Sequence, residues 1–339
     1  MRVKVSVFLL FLAVGMATLP AQARTLKIAT LSPEGHDWMR EMRKGADEIR
    51  ERTDGRVKLK FYPGGVMGND QTVLRKIRIG QLQGGAFSAG ALVEVYNDMQ
   101  VYSVPFLFRS YEEVDFVRSR MDEVIRAELE NRGFVSVGFS EGGFAYLMSV
   151  DALSSREDLV GHKLWIPEGD ELSQIALETA GISPVPLPVP DVYTGLQTGL
   201  IDVVASSPIG AIALQWHTRV KYLTDVPLLY LFGTVALSKK AFSKLSEADQ
   251  AVVRDVMGGV LKKLDRQNRQ SNEDARNALL NQGMQMVSPS PEEEAAWRSI
   301  AEQAKSAYQG RGLYSNETYE TIQQQLEAFR ANPVGALEP

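Results

Sequence analysis

Two segments of the chain carry residue types that could support phosphate binding or acyl transfer. The glycines of segment 64–68 (GGVMG) could cradle a phosphate, but they lack the Gly-Lys-Ser/Thr of a P-loop and the GxGxxG spacing. Ser88 lies in a segment similar to a nucleophile elbow, but Ala86 stands where the G-x-S-x-G pattern needs glycine. We therefore interpret the first segment as a glycine-rich turn and Ser88 as the end of a strand.

The sequence contains few of the cysteine and histidine side chains that metal binding and thiol catalysis need. None of its 339 residues is cysteine, and its three histidines, His36, His162 and His217, have neither HxH nor HxxxH spacing. Acidic residues are numerous, so catalysis by paired carboxylates stays open, but no pair is marked out by its pattern. We expect no metal, no cofactor and no enzymatic activity.

Length and charge restrict the class of protein further. Hydrophobic residues make up 44% of the chain and charged residues 23%, which are ordinary globular proportions. At about 150 residues per domain, the length suggests two domains. The formal net charge is -5 and no basic patch stands out, so we expect no nucleic-acid partner.

The N-terminus has the pattern of an export signal. A basic pair precedes the apolar run 5–19, and the A-x-A motif 21–23 follows Pro20. This predicts a cleaved signal peptide, 1–23, and a mature protein that starts at Arg24 in the periplasm. A single membrane anchor is the alternative, which we rank lower because the apolar run is short and no second one follows.

The rest of the chain alternates between strand-like and helix-like segments. Strands are predicted at 26–30, 57–61, 84–88, 133–139, 144–150, 163–166, 200–205 and 228–237, and helices at 36–52, 70–81, 171–180, 191–197 and 246–283. Ser110 and Ser290, each with a glutamate three positions later, predict two more helix starts. This alternation predicts an α/β architecture, followed by a loose tail at 332–339.

Four ordered motifs carry a resemblance that covers the mature chain. They are GRVK at 55–58 with FYPGGVMG at 61–68, PFLF at 105–108, DLVGHKLWIP at 158–167 and VYTGLQTGLID at 192–202. In order and spacing they resemble the extracytoplasmic solute receptors of TRAP transporters, the DctP-like family. Each motif alone is modest, and together they are specific.

The resemblance implies a class II periplasmic-binding-protein fold, with two lobes joined by crossing strands and a long spanning helix. We expect lobe I to hold 24–142 and 231–270, and lobe II to hold 143–230 and 271–331. A small organic solute would bind between the lobes, and the monomeric receptor would deliver it to the small and large membrane permease subunits.

The sequence departs from the family pattern where a ligand would sit. The arginine that usually clamps a ligand carboxylate falls at Trp165, and a second frequent arginine falls at Ala145. Small polar or apolar residues stand at the other matching positions, which are Ser88, Ser206, Ser207 and Leu31. These replacements predict a ligand that is apolar, aromatic or neutral rather than a simple C4-dicarboxylate.

Several side chains have two open interpretations. Trp165 either packs in the lobe core or points into the cleft, and we favour the cleft because its neighbours keep the family register. Trp38 could belong to the core or the cleft, and Glu168 could serve the helix dipole or meet the ligand. Phe87 and Val189 complete the candidate site. Arg109 or Arg219 could restore the missing clamp by swinging into the cleft.

Two other functions compete with a transport receptor. The chain could keep the receptor fold but carry an apolar molecule or signal without a permease, or it could be a hydrolase built on this scaffold. A pair of permease genes beside the gene for this protein would favour a transport receptor over the first alternative. Hinge closure on ligand addition, without turnover, would exclude the second.

Overall fold

A computed structural model describes residues 23–332 of the chain. The predicted signal peptide and loose tail therefore lie outside the described residues, apart from Ala23 and Asn332. The strands and helices are β1 (Arg24–Ala29), α1 (Asp37–Arg52), β2 (Val57–Tyr62), α2 (Asp70–Arg78), β3 (Gly84–Ser88), α3 (Tyr111–Asn131), β4 (Phe134–Ser149), β5 (Trp165–Pro167), α4 (Glu171–Thr179), β6 (Val185–Leu187), α5 (Val192–Thr198), β7 (Val203–Ser206), α6 (Pro208–Ala213), β8 (Tyr222–Ser238), α7 (Lys239–Phe242), α8 (Glu247–Asn281), β9 (Gln285–Val287), α9 (Pro291–Gly310) and α10 (Asn316–Ala331).

Serine side chains start the helices where the sequence predicts them. The hydroxyls of Ser110, Ser246 and Ser290 each accept a hydrogen bond from the backbone N–H three residues later. Such caps satisfy donors that have no partner in the first helical turn. The first residues of α3, α8 and α9 therefore follow from local sequence.

One mixed sheet runs through the whole molecule. Its strand order is β2-β1-β3-β8-β4-β7, with β9 paired to the beginning of β8, while β5 and β6 form a separate pair. The second half of β8 pairs with β3, and the second half of β4 pairs with β7. The antiparallel β4 and β8 thus connect the two halves of the sheet.

The sequence predicts two strands in the region of β4, at 133–139 and 144–150, whereas the structure has one. Register shifts between Glu141 and Gly143 and on either side of them allow the strand to bend without ending. Gly143 has φ +86°, and an added Cβ there would lie 2.6 Å from the Asn272 amide nitrogen. Gly142 and Gly143, which lie between the two predicted strands, form a bulge against α8.

The long helix α8 packs on both halves of the molecule. Its 35 residues span about 52 Å at 1.5 Å per residue. It contacts α1 closely, since a Cβ at Gly45 would lie 2.9 Å from Val260. Farther along, the Asn272 side chain accepts from the Ile209 N–H and donates to the Gly142 carbonyl. Among residues 23–332, no helix is long and apolar enough to span a membrane.

Candidate ligand-binding site

A cavity of about 410 Å³, here called the apolar cavity, lies at the ends of strands from both halves of the sheet. Strand ends are where open α/β sheets commonly bind ligands. Most of its lining side chains are aliphatic or aromatic. The residues predicted from sequence that line it are Ser88, Ala145, Trp165, Val189, Ser206 and Ser207.

Trp165 lines the apolar cavity and also packs in a core cluster. Its side chain is 5% exposed, and its indole N–H donates to the Leu187 carbonyl at 2.9 Å. Its ring and that of Trp216 form a T-shaped pair, with centroids 5.0 Å apart and planes at 74°. The hydrogen bond fixes the ring and leaves a satisfied, apolar surface toward the cavity.

Ala145 and two serines occupy the part of the wall where β7 ends beside the interior of β4. Ala145 is fully buried and pairs with Leu229 of β8. The Ser207 hydroxyl caps α6 by accepting from the Gly210 N–H, and Ser206 is buried beside it. A bulky charged side chain at position 145 would project into the cavity, so the alanine leaves space and no charge.

Three charged side chains that the sequence does not mark as site residues line the apolar cavity: Asp70, Arg156 and Asp170. Burial raises the pKa of Asp70 to about 6, and its carboxylate makes no hydrogen bond or ion pair within residues 23–332. Burial also raises the pKa of Asp170, although hydrogen bonds from Ser173 oppose the shift. Arg156 is engaged by the Ala180 carbonyl and by Glu157.

A second cavity of about 820 Å³, here called the polar cavity, adjoins the first. Leu31, Trp38 and Phe87 line it, and Trp38 is half-buried against the core that α1 and α8 share. The two cavities share Ser88, Asp70 and other lining residues, so they form one continuous cleft.

Three residues considered from sequence lie outside both cavity linings. The exposed Glu168 accepts a hydrogen bond from the Asn69 side chain at 3.3 Å, and Asp170 lines the apolar cavity instead. Arg219 is exposed and donates to the Tyr193 hydroxyl, and Arg109 is exposed on its loop. Neither arginine replaces the clamp in this structure.

Contacts across the mouth of the cleft join the two halves of the molecule. Asn69 at the start of α2 reaches Glu168 before α4, as described above. A Cβ at Gly65 would lie 3.3 Å from Leu31 and 3.5 Å from Pro190. The glycine-rich segment 64–68 is therefore a turn at the mouth of the cleft, as interpreted from sequence.

A buried ion network, here called the hinge network, lies where β4, β8 and α8 meet. Its centre is Glu141, which is 2% exposed and pairs with Arg269 at 2.8 Å. The Tyr230 hydroxyl donates to Glu141 at 2.9 Å. Arg118 donates to Asp265 at 3.1 Å, and burial raises the pKa of Asp265 while Arg118 opposes that shift.

A family model matches residues 28–310, which is most of the chain. Its description is bacterial extracellular solute-binding protein, family 7, the DctP family. The chain belongs to this family. It is therefore a solute-binding receptor of the TRAP-transporter type, as the sequence motifs predict, and the family is one of binding proteins rather than of enzymes.

Characterised relatives bind organic acids. The chain is 28% identical over 214 residues to the 2,3-diketo-L-gulonate-binding periplasmic protein YiaO of Escherichia coli, covering 61% of this chain and 64% of that protein. It is 24% identical over 265 residues to the C4-dicarboxylate-binding periplasmic protein DctP of Rhodobacter capsulatus, covering 75% and 77%. The match to a third relative, the uncharacterized protein YiiZ of Salmonella typhimurium, spans 61% of that protein's length.

Solved structures confirm the fold. The galactonate complex of the sugar acid binding protein DctPAm from Advenella mimigardefordensis matches with a TM-score of 0.84 at 19% identity. The match covers 91% of this chain and 99% of that one. The receptor of Haemophilus influenzae with bound L-gulonate matches with a TM-score of 0.82 at 17% identity, covering 89% and 99%. The predicted two-lobe class II fold is confirmed.

Proposed function

We propose that this receptor captures a small organic solute that is mainly apolar, aromatic or neutral, and delivers it to the small and large permease subunits of a TRAP transporter. One observation carries the proposal. Ala145 and Trp165, which stand where the family resemblance places arginines, both line the apolar cavity.

The charge balance of the cavity argues against a dicarboxylate. A carboxylate that enters a closed cleft loses its hydration, which costs several kcal/mol unless a cation pairs with it. The one guanidinium in the lining of the apolar cavity, that of Arg156, is already engaged by Glu157 and a backbone carbonyl. Asp70 adds an unpaired carboxylate that would repel a second one.

The aromatic wall favours an apolar partner. Trp165 and Trp216 present two indoles set edge to face. Aromatic side chains contribute large buried areas and prefer stacked or edge contacts with other rings. Ser88, Ser206 and Ser207 offer hydroxyls that can form neutral hydrogen bonds with the same ligand.

We propose that the ligand is enclosed by rotation of lobe I (24–142 and 231–270) against lobe II (143–230 and 271–331), with α10 moving with lobe I because Arg330 pairs with Glu113 of α3 at 2.7 Å. The crossing of β4 and β8 supports this division, since both strands pass from one half of the sheet to the other. Hinge closure of two lobes around a ligand is a common mode of motion. In this proposal, the contacts across the mouth of the cleft, such as that between Asn69 and Glu168, are present when the lobes are closed.

We further propose that the receptor is exported with cleavage after Ala23 and acts as a periplasmic monomer. N-terminal sequencing of protein recovered from the periplasm should begin at Arg24. An intact Met1 on membrane-bound protein would contradict the cleavage. Light scattering of the purified mature protein should give the mass of one chain.

Native mass spectrometry of the purified receptor tests the proposed ligand class. A ligand retained from the expression host should add a mass that fragmentation assigns to an apolar, aromatic or neutral compound. A retained sugar acid or C4-dicarboxylate would overturn the proposal. If no ligand is retained, titration calorimetry compares binding of apolar, aromatic or neutral compounds with binding of sugar acids and C4-dicarboxylates. Tighter binding of the acids would overturn the proposal.

A further inference from the structure

The apolar and polar cavities meet in a short passage, here called the junction. The residues that line both cavities, and so define the junction, are Asp70, Ser88, Val189, Ser207, Gly210 and Leu231. Asp70, the first residue of α2, is the one charged side chain in this set. A group at one end of a ligand in the apolar cavity can therefore reach Asp70.

The helix that carries Asp70 does not use its carboxylate. Asn69 caps α2 instead, because its side-chain oxygen accepts from the Thr72 N–H at 3.1 Å. An acidic side chain in a first helical turn is ordinarily stabilised in its charged form by the helix dipole. At Asp70 the loss of hydration outweighs that effect and raises the pKa to about 6.

The Asp70 carboxylate is accessible from the cleft. The residue is partly buried, yet its oxygens are not among the polar atoms that residues 23–332 enclose without a partner. They therefore keep accessible surface, and the open space that Asp70 lines is the cleft on both sides of the junction.

No cation within residues 23–332 pairs with Asp70. The guanidinium of Arg156 in the apolar cavity is engaged by a backbone carbonyl and a glutamate. The cations that line the polar cavity, which are Arg40, Lys44 and Arg266, make no hydrogen bond or ion pair with Asp70. A cationic ligand group would thus meet a carboxylate that is already partly dehydrated and has no competing partner.

We propose that the solute has an aromatic body, which fills the apolar cavity, and a positively charged amine, which binds the Asp70 carboxylate at the junction. This inference rests on the proposed function, because it places an aromatic ligand in the same cavity and adds its head group. An ammonium group and a carboxylate form a strong, charge-assisted hydrogen bond. The ammonium has further N–H donors, and the Ser88 hydroxyl can accept one of them. Trp165 and Trp216 supply indole rings for the body of the ligand.

A matched pair of probes isolates the head group. 4-Butylbenzylamine and 4-butylbenzyl alcohol have the same body and nearly the same shape, but only the amine is charged at pH 8. Asp70, with a pKa of about 6, is ionised at this pH. The mature wild-type receptor should bind the amine roughly tenfold more tightly, because a hydrogen bond between charged groups contributes more than a neutral one. Titration calorimetry measures both affinities.

Two substitutions distinguish direct contact from long-range attraction. Asp70→Asn keeps the size of the side chain and removes its charge, so the preference for the amine should disappear. Binding of the alcohol should change little, which also shows that the variant is folded. Glu168→Gln is the matched control: Glu168 accepts from Asn69 beside the same helix start, but it lies outside both cavity linings. It should leave the preference for the amine unchanged.

The outcomes separate this inference from the proposed function. If 4-butylbenzoate binds the wild-type receptor more tightly than the amine and the alcohol, the proposed function fails. If the alcohol binds at least as tightly as the amine, or if Asp70→Asn preserves the preference, the head-group proposal fails while the proposed function stands. An equal loss of preference in Glu168→Gln would also overturn the head-group proposal, because the effect would then come from net charge rather than from contact at the junction.

Discussion

Two positions four residues apart on strand β4 have opposite electrostatic environments. Glu141 is a buried charge with a paired guanidinium, a hydroxyl donor and a second ion pair nearby. Ala145 is equally buried, and its surroundings are a cavity lined mainly by apolar side chains. The chain thus keeps buried charge at Glu141 and has none at Ala145, the proposed ligand position of the same strand.

The difference separates structural from binding roles. A buried ion pair depends on both partners, since the loss of one leaves a charge without compensation. We therefore expect the hinge network to stabilise the folded receptor rather than to bind a ligand. In the apolar cavity no such pairing exists for Asp70 among the described residues, so this group is available to a ligand.

The largest effect is expected at the hinge network. Glu141→Gln removes the charge that pairs with Arg269, and we expect the free energy of unfolding to fall by about 3–5 kcal/mol. Denaturant unfolding measures this change. The matched control is Asp115→Asn, because Asp115 pairs with the same Arg269 at the surface. Its effect should stay within about 1 kcal/mol; equal effects at both positions would contradict the comparison.

The next effect is expected at the aromatic wall. Trp165→Ala removes the ring that faces Trp216 and should weaken binding of an apolar aromatic probe such as 4-butylacetophenone by at least roughly thirtyfold. Trp165→Phe keeps a ring and should recover part of the affinity. Fluorescence titration measures both variants. Unchanged affinity in the alanine variant would place the ligand elsewhere.

Asp70 should make stability depend on pH. Burial raises its pKa to about 6 from 3.8, so the folded state favours the protonated form. The stabilising contribution of this group is full below pH 3.8 and is lost as the pH rises through about 6. The asparagine of Asp70→Asn cannot ionise. At pH values above 6 this variant should therefore have a higher melting temperature than the wild type, and the difference should become smaller toward pH 4.

Thermal unfolding between pH 4 and 8 measures this dependence. The same substitution at the exposed Asp151 is the matched control. A constant difference between Asp70→Asn and the wild type over the whole range would contradict the burial of an unpaired carboxylate.

The smallest effect is expected at the mouth of the cleft. Glu168→Ala removes the hydrogen bond to Asn69 between two surface loops. We expect a change in stability of less than about 1 kcal/mol and an unchanged ligand class. Calorimetry with the same probes checks this. A loss of binding comparable to that of Trp165→Ala would assign Glu168 to the site.

The sequence predicts much of the fold because its signals are local. Serine caps and alternating patterns place α3, α8 and α9, and the four motifs indicate the family. The continuity of β4 escaped prediction because a glycine pair marks a bulge as readily as a break. Glu168 and Asp170 are separated by Gly169 at φ +85°, a turn whose direction decides which carboxylate meets the cavity.

Parts of the site depend on contacts between distant segments. Asp70, Arg156 and Trp297 meet one cavity from α2, a loop and α9, which are far apart in the chain. No local pattern distinguishes these residues from ordinary surface or core positions. The lack of a partner for the Asp70 carboxylate among the described residues is in particular a property of packing, and it is visible only when all neighbours are placed.

The most direct test of the account is calorimetric titration of the mature receptor with organic acids of the kinds that its relatives bind, alongside neutral aromatic compounds. Succinate, L-malate and galactonate should give no saturable heat at micromolar concentrations, because the cavity has no free guanidinium at positions 145 and 165. At least one neutral aromatic compound should bind with a dissociation constant in the micromolar range or below. Submicromolar binding of any of these acids would contradict the central claim.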